Sequence, residues 1–289
     1  MSRLPRVVVV GDVMTDIVVR LPAKPAYGSD TPAAISQHGG GSAANVAAWL
    51  AASGHPATYV GRVGDDLLGR AAMDDLRDTG VDVRATFDEK RATGVCVVLV
   101  DPSGERTMLP DTGANAALSP DDLPDDVFTS GSHLHLSGYA LINDGSRRAA
   151  LAAIHRARAA GMTTSVDPSS AAPLRKLGGA AFRAWTAGMD LCLLNQEEAT
   201  VLAPWGDYPE VVRKLGPGGA AWRKGEATEL VEAEPVAAVD TTGAGDAFAA
   251  GFLSAWLAGA TAKDALRAAC ALAAQAVTQV GARPKSPRS

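Results

Sequence analysis

The sequence predicts an α/β fold with a mostly parallel central sheet covered by helices on both faces. Three observations point there. Short Val- and Leu-rich runs alternate with longer helical patterns through most of the 289 residues, and that alternation feeds parallel strands through crossover helices. The runs are apolar throughout, as strands buried on both faces must be. Two stretches, 13–38 and 93–110, break the alternation and read as β-structure outside the main sheet.

Taken in order, Val7–Val10 reads as a buried strand that ends at Gly11-Asp12. Residues 13–38 have no helical period and carry β-like runs at 18–21 and 33–36, with Tyr27 between them. A helix is expected at 43–53, a strand at 58–60 and a helix at 69–79, beside which Leu68, Ala72 and Leu76 recur at helical spacing. Residues 95–100 and 106–109 form an expected hairpin, joined by the turn sequence Asp101-Pro102-Ser103-Gly104. Then come a strand at His133–Ser137, a helix at 147–161, and strands at 163–166, 191–194 and 211–215. A strand-like run at 235–239 leads into an Ala-rich helix at 247–257 and a closing helix at 262–280. The length suits one large α/β domain, read here as a single unit over 1–289.

Composition excludes several classes. The formal net charge is −5, so no broad basic face is implied and nucleic acid is not an expected partner. The first apolar run, Val7–Val10, is too short for a signal-peptide core, and nothing approaches the ~20 apolar residues of a membrane helix. Cys96, Cys192 and Cys270 lie singly in apolar runs and read as reduced core residues. The expected product is a soluble cytoplasmic protein, frayed over the polar tail 284–289. His133 and His135 share a strand face, yet no third ligand accompanies them, so a core role is read ahead of a metal site. The tryptophans are scattered and read as core.

The most informative stretch is Asp240-Thr241-Thr242-Gly243-Ala244-Gly245-Asp246-Ala247-Phe248. Gly243 and Gly245 remove side chains where the backbone turns into a helix, so the amides of Gly243, Ala244 and Gly245 can point together at a small anion. A helix N-terminus offers unpaired donors and the positive end of the macrodipole, which suits a phosphoryl group. Asp246, in the first turn, is placed to take a proton from an attacking group. An ordinary turn with a capping residue explains Gly245 and Asp246, but not the Asp-Thr-Thr before them.

Further candidates lie where strands end. Gly11-Asp12-Val13-Met14-Thr15-Asp16 follows the first strand, at the kind of sheet edge where open α/β folds bind ligands; as a plain turn, Asp12 is equally well explained. Gly39-Gly40-Gly41-Ser42-Ala43-Ala44-Asn45 lets a ligand approach the backbone, with Asn45 offering donor and acceptor to a hydroxyl pair. Asn195-Gln196-Glu197-Glu198 is an ordinary capping box as it stands. Lys214-Leu215-Gly216-Pro217-Gly218-Gly219-Ala220 is a glycine-rich turn with a cation at its head.

Residues 240–248 resemble the C-terminal motif of the ribokinase (PfkB) family of small-molecule kinases, and Gly40, Gly41 and Asn45 match that family's N-terminal Gly-Gly-x-x-x-Asn. The resemblance runs from about Arg6 to Pro284. It implies a ribokinase-like three-layer sandwich, with segments 13–38 and 93–110 forming a small β-sheet lid that closes over a sugar and often dimerises. It implies Asp246 as general base and Gly243, Ala244 and Gly245 as the anion hole. Asp16, Gly40, Gly41 and Asn45 would bind the acceptor, with Asp12 behind them. Asn195, Lys214, Gly216, Gly219 and Thr241 would face the nucleotide, and Glu198 would hold Mg²⁺ through water. A monovalent cation such as K⁺ would lie against Asp240, Thr242, Ala276 and Gly281, unless the ammonium of Lys285 takes its place.

The implied reaction is in-line transfer from ATP·Mg²⁺ to an alcohol of a small-molecule acceptor. No Gly-x-x-x-x-Gly-Lys-Ser/Thr, His-Arg-Asp or Asp-Phe-Gly occurs, which excludes Walker-type NTPases and protein kinases. A dehydrogenase is disfavoured, because the Gly11 turn lacks a glycine two residues on. The chain departs from ribokinases at Met14, where they carry Asn, at Ser42, where they carry Lys, and near Gly138, where they bring a carboxylate. These changes imply a less hydroxylated acceptor pocket than ribose needs, so another sugar, a sugar acid or a nucleoside fits as well. Gly113-Ala114-Asn115-Ala116 is similar to ribokinases, and Gly104-Glu105-Arg106-Thr107-Met108 to nucleoside kinases. A non-catalytic sensor on the same fold is the reading from another class, and an intact Asp246 argues against it. Residues 204–209 are shorter than the corresponding connection in relatives.

Overall fold

A computed structural model describes residues 4–285. The tail from 286 onward, expected to be frayed, lies outside the described residues.

The chain order is β1 (Val7–Val10), β2 (Met14–Arg20), β3 (Ala34–Gly40), α1 (Ser42–Ala52), β4 (Ala57–Gly64), α2 (Leu67–Asp78), β5 (Asp82–Asp88), β6 (Gly94–Val100) and β7 (Arg106–Asp111). It continues with β8 (His133–Ser137), α3 (Tyr139–Ile142), α4 (Arg147–Ala159), β9 (Thr163–Asp167), α5 (Ala171–Leu177), α6 (Gly179–Thr186), β10 (Leu191–Asn195) and α7 (Gln196–Leu202). The last elements are β11 (Glu210–Lys214), β12 (Ala220–Lys224), β13 (Ala227–Val231), α8 (Ala244–Leu257) and α9 (Ala262–Val277).

Nine strands form the central sheet in the order β13-β12-β11-β10-β9-β8-β1-β4-β5. From β11 to β5 all neighbours are parallel, and β12 and β13 close the other edge antiparallel. The Val and Leu runs are central strands whose side chains enter two cores. Val7, Val9, Leu191, Leu193 and Val212 pack under α1, α2, α8 and α9. Val8, Val10, Leu134, Leu136, Cys192 and Leu194 pack under the α4–α7 side. The three-layer sandwich is therefore as expected. A second, four-stranded sheet has the order β3-β2-β6-β7, and it is built from the two segments that broke the alternation.

Boundaries moved in instructive places. The run at 235–239 is not a strand: Pro235 removes a donor, Val236 and Val239 are exposed, and the amides of Val239 and Asp240 both donate to the Val277 carbonyl at the end of α9. The closing helix stops at Val277, short of residue 280. Strands β5, β12 and β13 carry few contiguous apolar residues and went unrecognised: β5 and β13 are the sheet edges, and β12, next to β13, is only partly buried. His133 and His135 are fully buried; His133 pairs with Thr163 and Ser165, and His135 with Ser165, at 2.7–2.8 Å. Burial lowers both imidazoles, His135 to about 4, so they are neutral core groups. Among the described residues no group of three or more His, Cys, Asp or Glu is arranged to hold a metal ion, and no helix is long and apolar enough to cross a membrane.

Candidate active site

The parallel strands end together beneath the N-terminus of α8. Gly243 caps that helix with φ 74°, and a Cβ there would stand 2.6 Å from the Ala282 carbonyl oxygen, so only glycine fits the turn. Among the described residues the amides of Gly243, Gly245 and Asp246 have no protein acceptor, whereas that of Ala244 donates back to the Thr241 carbonyl at 3.3 Å. Of the three amides expected to face an anion, those of Gly243 and Gly245 are thus free, and that of Asp246 is free beside them.

Asp246 is held from α1. Ser42 Oγ donates to Oδ1 at 2.9 Å and Asn45 Nδ2 donates to Oδ2 at 2.8 Å. Burial raises its carboxyl to about 7, with Asp167 adding to the rise while Asn45, Ser42 and Lys214 oppose it. A carboxyl near neutrality is suited to general-base work. The Asn45 amide, expected beside an acceptor hydroxyl pair, here donates to Asp246. Its Oδ1 accepts from Arg283 Nε at 3.3 Å.

Asp12 accepts from the backbone amides of Ser42 at 2.9 Å and Ala43 at 3.5 Å and from Ser137 Oγ at 2.8 Å, so it holds the first turn of α1 from behind the glycine loop. Asp16 lies against Gly40, where a Cβ would come within 2.3 Å of the carboxylate. Burial raises Asp16 to about 6, against the lowering effect of Arg283, and no protein donor satisfies it among the described residues.

On the other side of α8, Lys214 at the end of β11 reaches the cradle: its Nζ is 3.5 Å from where a Gly245 Cβ would stand. Nζ donates to Asp167 Oδ2 at 2.6 Å. Burial opposes the ammonium, but Asp167, Glu198 and Asp246 outweigh it and hold Lys214 above the usual lysine range. Asn195 and Glu198 form a reciprocal capping box: the Asn195 backbone and side-chain nitrogens donate to Glu198 at 2.7 and 2.8 Å, and Asn195 Oδ1 accepts from the Glu198 amide. Burial lifts Glu198 to about 7 despite Lys214. Asp167 and Glu198 are carboxylates of the kind that would suit a hydrated oxygen-seeking cation brought in with phosphate. Gly216 and Gly219 stand in the turn after Lys214, Gly216 exposed and Gly219 buried with φ 90°.

At Asp240, where K⁺ or the ammonium of Lys285 was expected, a guanidinium is in contact. Lys285 is exposed and makes no hydrogen bond or ion pair with Asp240 among the described residues, whereas Arg106 of β7 donates to Asp240 Oδ1 at 3.1 Å and to the hydroxyls of Thr241 and Thr242. Asp240 also accepts from the Thr242 amide and hydroxyl and from the Gly281 amide, which together with Arg106 keep it below the usual carboxylate range against the effect of burial. Ala276 is buried in α9, one residue before the Val277 carbonyl that binds this segment. A cleft of about 420 Å³ separates residues 238–242 from the inner face of the small sheet.

Reading the sequence missed Asp167, Arg106 and Arg283. Asp167 carried a signal, a carboxylate at a strand end followed by proline. Arg106 stood in a stretch already singled out. Arg283, beyond the last helix, carried none.

A three-layer sandwich with an anion cradle, a carboxyl near neutrality and a small sheet facing them defines a phosphotransferase with a sugar hydroxyl as acceptor. Residues 4–288 match the family model described as pfkB family carbohydrate kinase, and the chain belongs to that family. It is 35% identical, over 96% of its length and 94% of the relative's, to an ATP-dependent ribose-1-phosphate kinase of Halopiger xanaduensis. Its fold matches a probable sugar kinase from Rhizobium etli with TM-score 0.88 at 26% identity, covering 99% and 97% of the two chains. A fructokinase double mutant from Vibrio cholerae in its fructose-, ADP- and potassium-bound form matches with TM-score 0.83 at 29% identity, covering 99% and 96%.

Proposed function

We propose that this chain transfers the γ-phosphoryl group of ATP·Mg²⁺ to a hydroxyl of a sugar or sugar derivative, with Asp246 as general base. The observation that carries the proposal is the placement of Asp246, whose two oxygens are aimed by Ser42 and Asn45 beside amides that lack protein acceptors. Asp246 takes the hydroxyl proton. The amides of Gly243, Gly245 and Asp246, with Lys214, stabilise charge on the moving group, since such transfers depend mainly on positioning and electrostatics. Asp16, Gly40 and Gly41 receive the other hydroxyls. Asn195, Gly216, Gly219 and Thr241 would flank the nucleotide, and Glu198 and Asp167 would hold, through water, the Mg²⁺ that would neutralise its phosphates.

The small sheet acts in this reading as a lid, its inner face graded in polarity. Directly paired residues share a face, so β2, β6 and β7 present Asp16 and Cys96 first, then Val18, Val98 and Met108, then Arg20, Val100 and Arg106. Arg20 is exposed and without a protein partner among the described residues. This order supports an acceptor with hydroxyls at its reacting end and negative charge at its far end, as a sugar phosphate has; the Halopiger relative bears the name of such an enzyme. The apolar middle row favours a nucleoside as the second reading. Initial rates of ADP release with pentose 1-phosphates, free pentoses, fructose and nucleosides decide between them. The highest kcat/KM is expected for a phosphorylated sugar; preference for a nucleoside would select the second reading, and ATP binding without turnover on any acceptor would mean a sensor.

The opposite face of the lid carries Ile17, Val19, Ile35, Val97, Leu99 and Leu109, with Ile35 67% and Leu109 53% exposed. An apolar face of that kind supports a homodimer through the lid. Sedimentation should give a dimer for the native chain and a monomer for Ile35→Lys; a native monomer would remove the dimer. With the Arg106 guanidinium already on Asp240, turnover is expected to be the same in sodium and potassium buffers, and a strong K⁺ requirement would contradict it. The enzyme is placed in the cytoplasm, where ATP is supplied and the buried thiols Cys96 and Cys192 stay reduced, with neither nucleic acid nor membrane as partner. Cell fractionation tests that placement.

A further inference from the structure

Arg283 takes no part in the reaction described above, yet it is among the most enclosed cations of the chain, its side chain 5% exposed. Each nitrogen of its guanidinium makes a hydrogen bond. Nη1 donates to Asp75 Oδ2 of α2 at 2.7 Å, Nη2 to the Gly40 carbonyl at 2.8 Å, and Nε to Asn45 Oδ1 at 3.3 Å. Its neighbour Ala282 accepts from Trp49 Nε1 at 2.9 Å, which fastens the segment to α1, the helix that carries Asn45.

We infer that Arg283 is a positioning residue for the base: it fixes the Asn45 amide in the one orientation that places an N–H on Asp246. An asparagine amide has two ends of nearly equal size, one a donor and the other an acceptor. Turned over, Asn45 would present Oδ1 to the Asp246 carboxylate, two acceptors facing each other. A guanidinium has only donors, so its Nε can pair with Oδ1 and not with Nδ2. Arg283 therefore selects the orientation, and the bonds to Asp75 and Gly40 hold Arg283 itself. The same side chain supports the acceptor loop through the Gly40 carbonyl and opposes the rise of Asp16. Loss of the Nε contact thus acts on turnover through Asn45, and loss of the Gly40 contact acts on acceptor KM.

This inference rests on Asp246 being the base, and a double-mutant cycle tests it. Arg283→Lys keeps a buried cation for Asp75 but lacks the fork that reaches Asn45. It is expected to lower kcat by about 10-fold or more, the scale of a misplaced catalytic group, with the KM for ATP unchanged. Asn45→Ala should lower kcat similarly, and the double variant should be no slower than Asn45→Ala alone. Multiplying effects, or native kcat in Arg283→Lys, would overturn the inference. Asn45→Asp covers the case in which Arg283→Lys does not fold: it still accepts from Arg283 but cannot donate from an amide, so kcat must fall, and native turnover there would equally overturn it. Failure of the kinase reading is visible separately, as a native enzyme without acceptor-dependent ADP release, which overturns both.

Discussion

Asp246→Asn is expected to lose at least ~100-fold in turnover, within the ~10²–10⁴ range attributed to a positioned general base, while ATP binding persists. The amide is isosteric with the carboxyl and can remain beside Ser42 and Asn45. The variant should also melt higher than the native enzyme above neutral pH. The Asp246 carboxyl is raised from 3.8 to about 7 in the fold. A raised carboxyl gives stability that is full below its unfolded value and is lost as pH climbs through the folded one. At pH 8 the native protein therefore holds an ion that its surroundings disfavour, and Asn removes it. Scanning calorimetry on both forms at pH 5 and pH 8 measures this: the difference in Tm should be a few degrees larger at the higher pH. Near-native turnover in Asp246→Asn would take the base away from this residue.

Lys214→Met should produce the second large effect, on stability and catalysis together. The ammonium and Asp167 are 2.6 Å apart with 13% and 3% of their side chains exposed, so removing the cation leaves a buried carboxylate without its partner. Breaking such a pair costs about 3–5 kcal/mol. Pairing it with Asp167→Asn should recover most of the lost stability but not the activity, because the cradle beside Gly245 still lacks its cation. Loss of one such stabilising group typically costs ~10²-fold in kcat. Denaturant melts and steady-state kinetics of the three variants measure both parts. A double variant with restored activity would mean that Lys214 serves the fold alone.

How much of this was legible in the sequence varied with the physical signal behind each residue. Central strands such as Val7–Val10 and His133–Ser137 were found to the residue, because burial on both faces forces a run of one character. The edge strands β5 and β13, and the partly buried β12 beside β13, were not, since water tolerates charged side chains along them. Glycines and Asp246 stood out because local backbone geometry dictates them. Residues acting across long separations left weaker traces: Arg106 meets Asp240 and Arg283 meets Asn45 only once the chain has folded. Lys285 was offered as an alternative to K⁺ at Asp240, where Arg106 is the cation in contact, since nothing local reveals which cation reaches a given carboxylate. The contacts of Asp12 with Ser42 and Ser137, and of Asn45 with Asp246 and Arg283, were not legible for the same reason.

The most direct test is the single-turnover rate as a function of pH, measured with enzyme in excess so that product release cannot mask the chemical step. The rate is expected to rise about tenfold per pH unit in the acid range and to level off above about pH 7, as one carboxyl gives up its proton. A rate unchanged from about pH 5.5 to about 8.5 would contradict it, since no residue with a raised carboxyl would then be accepting the hydroxyl proton.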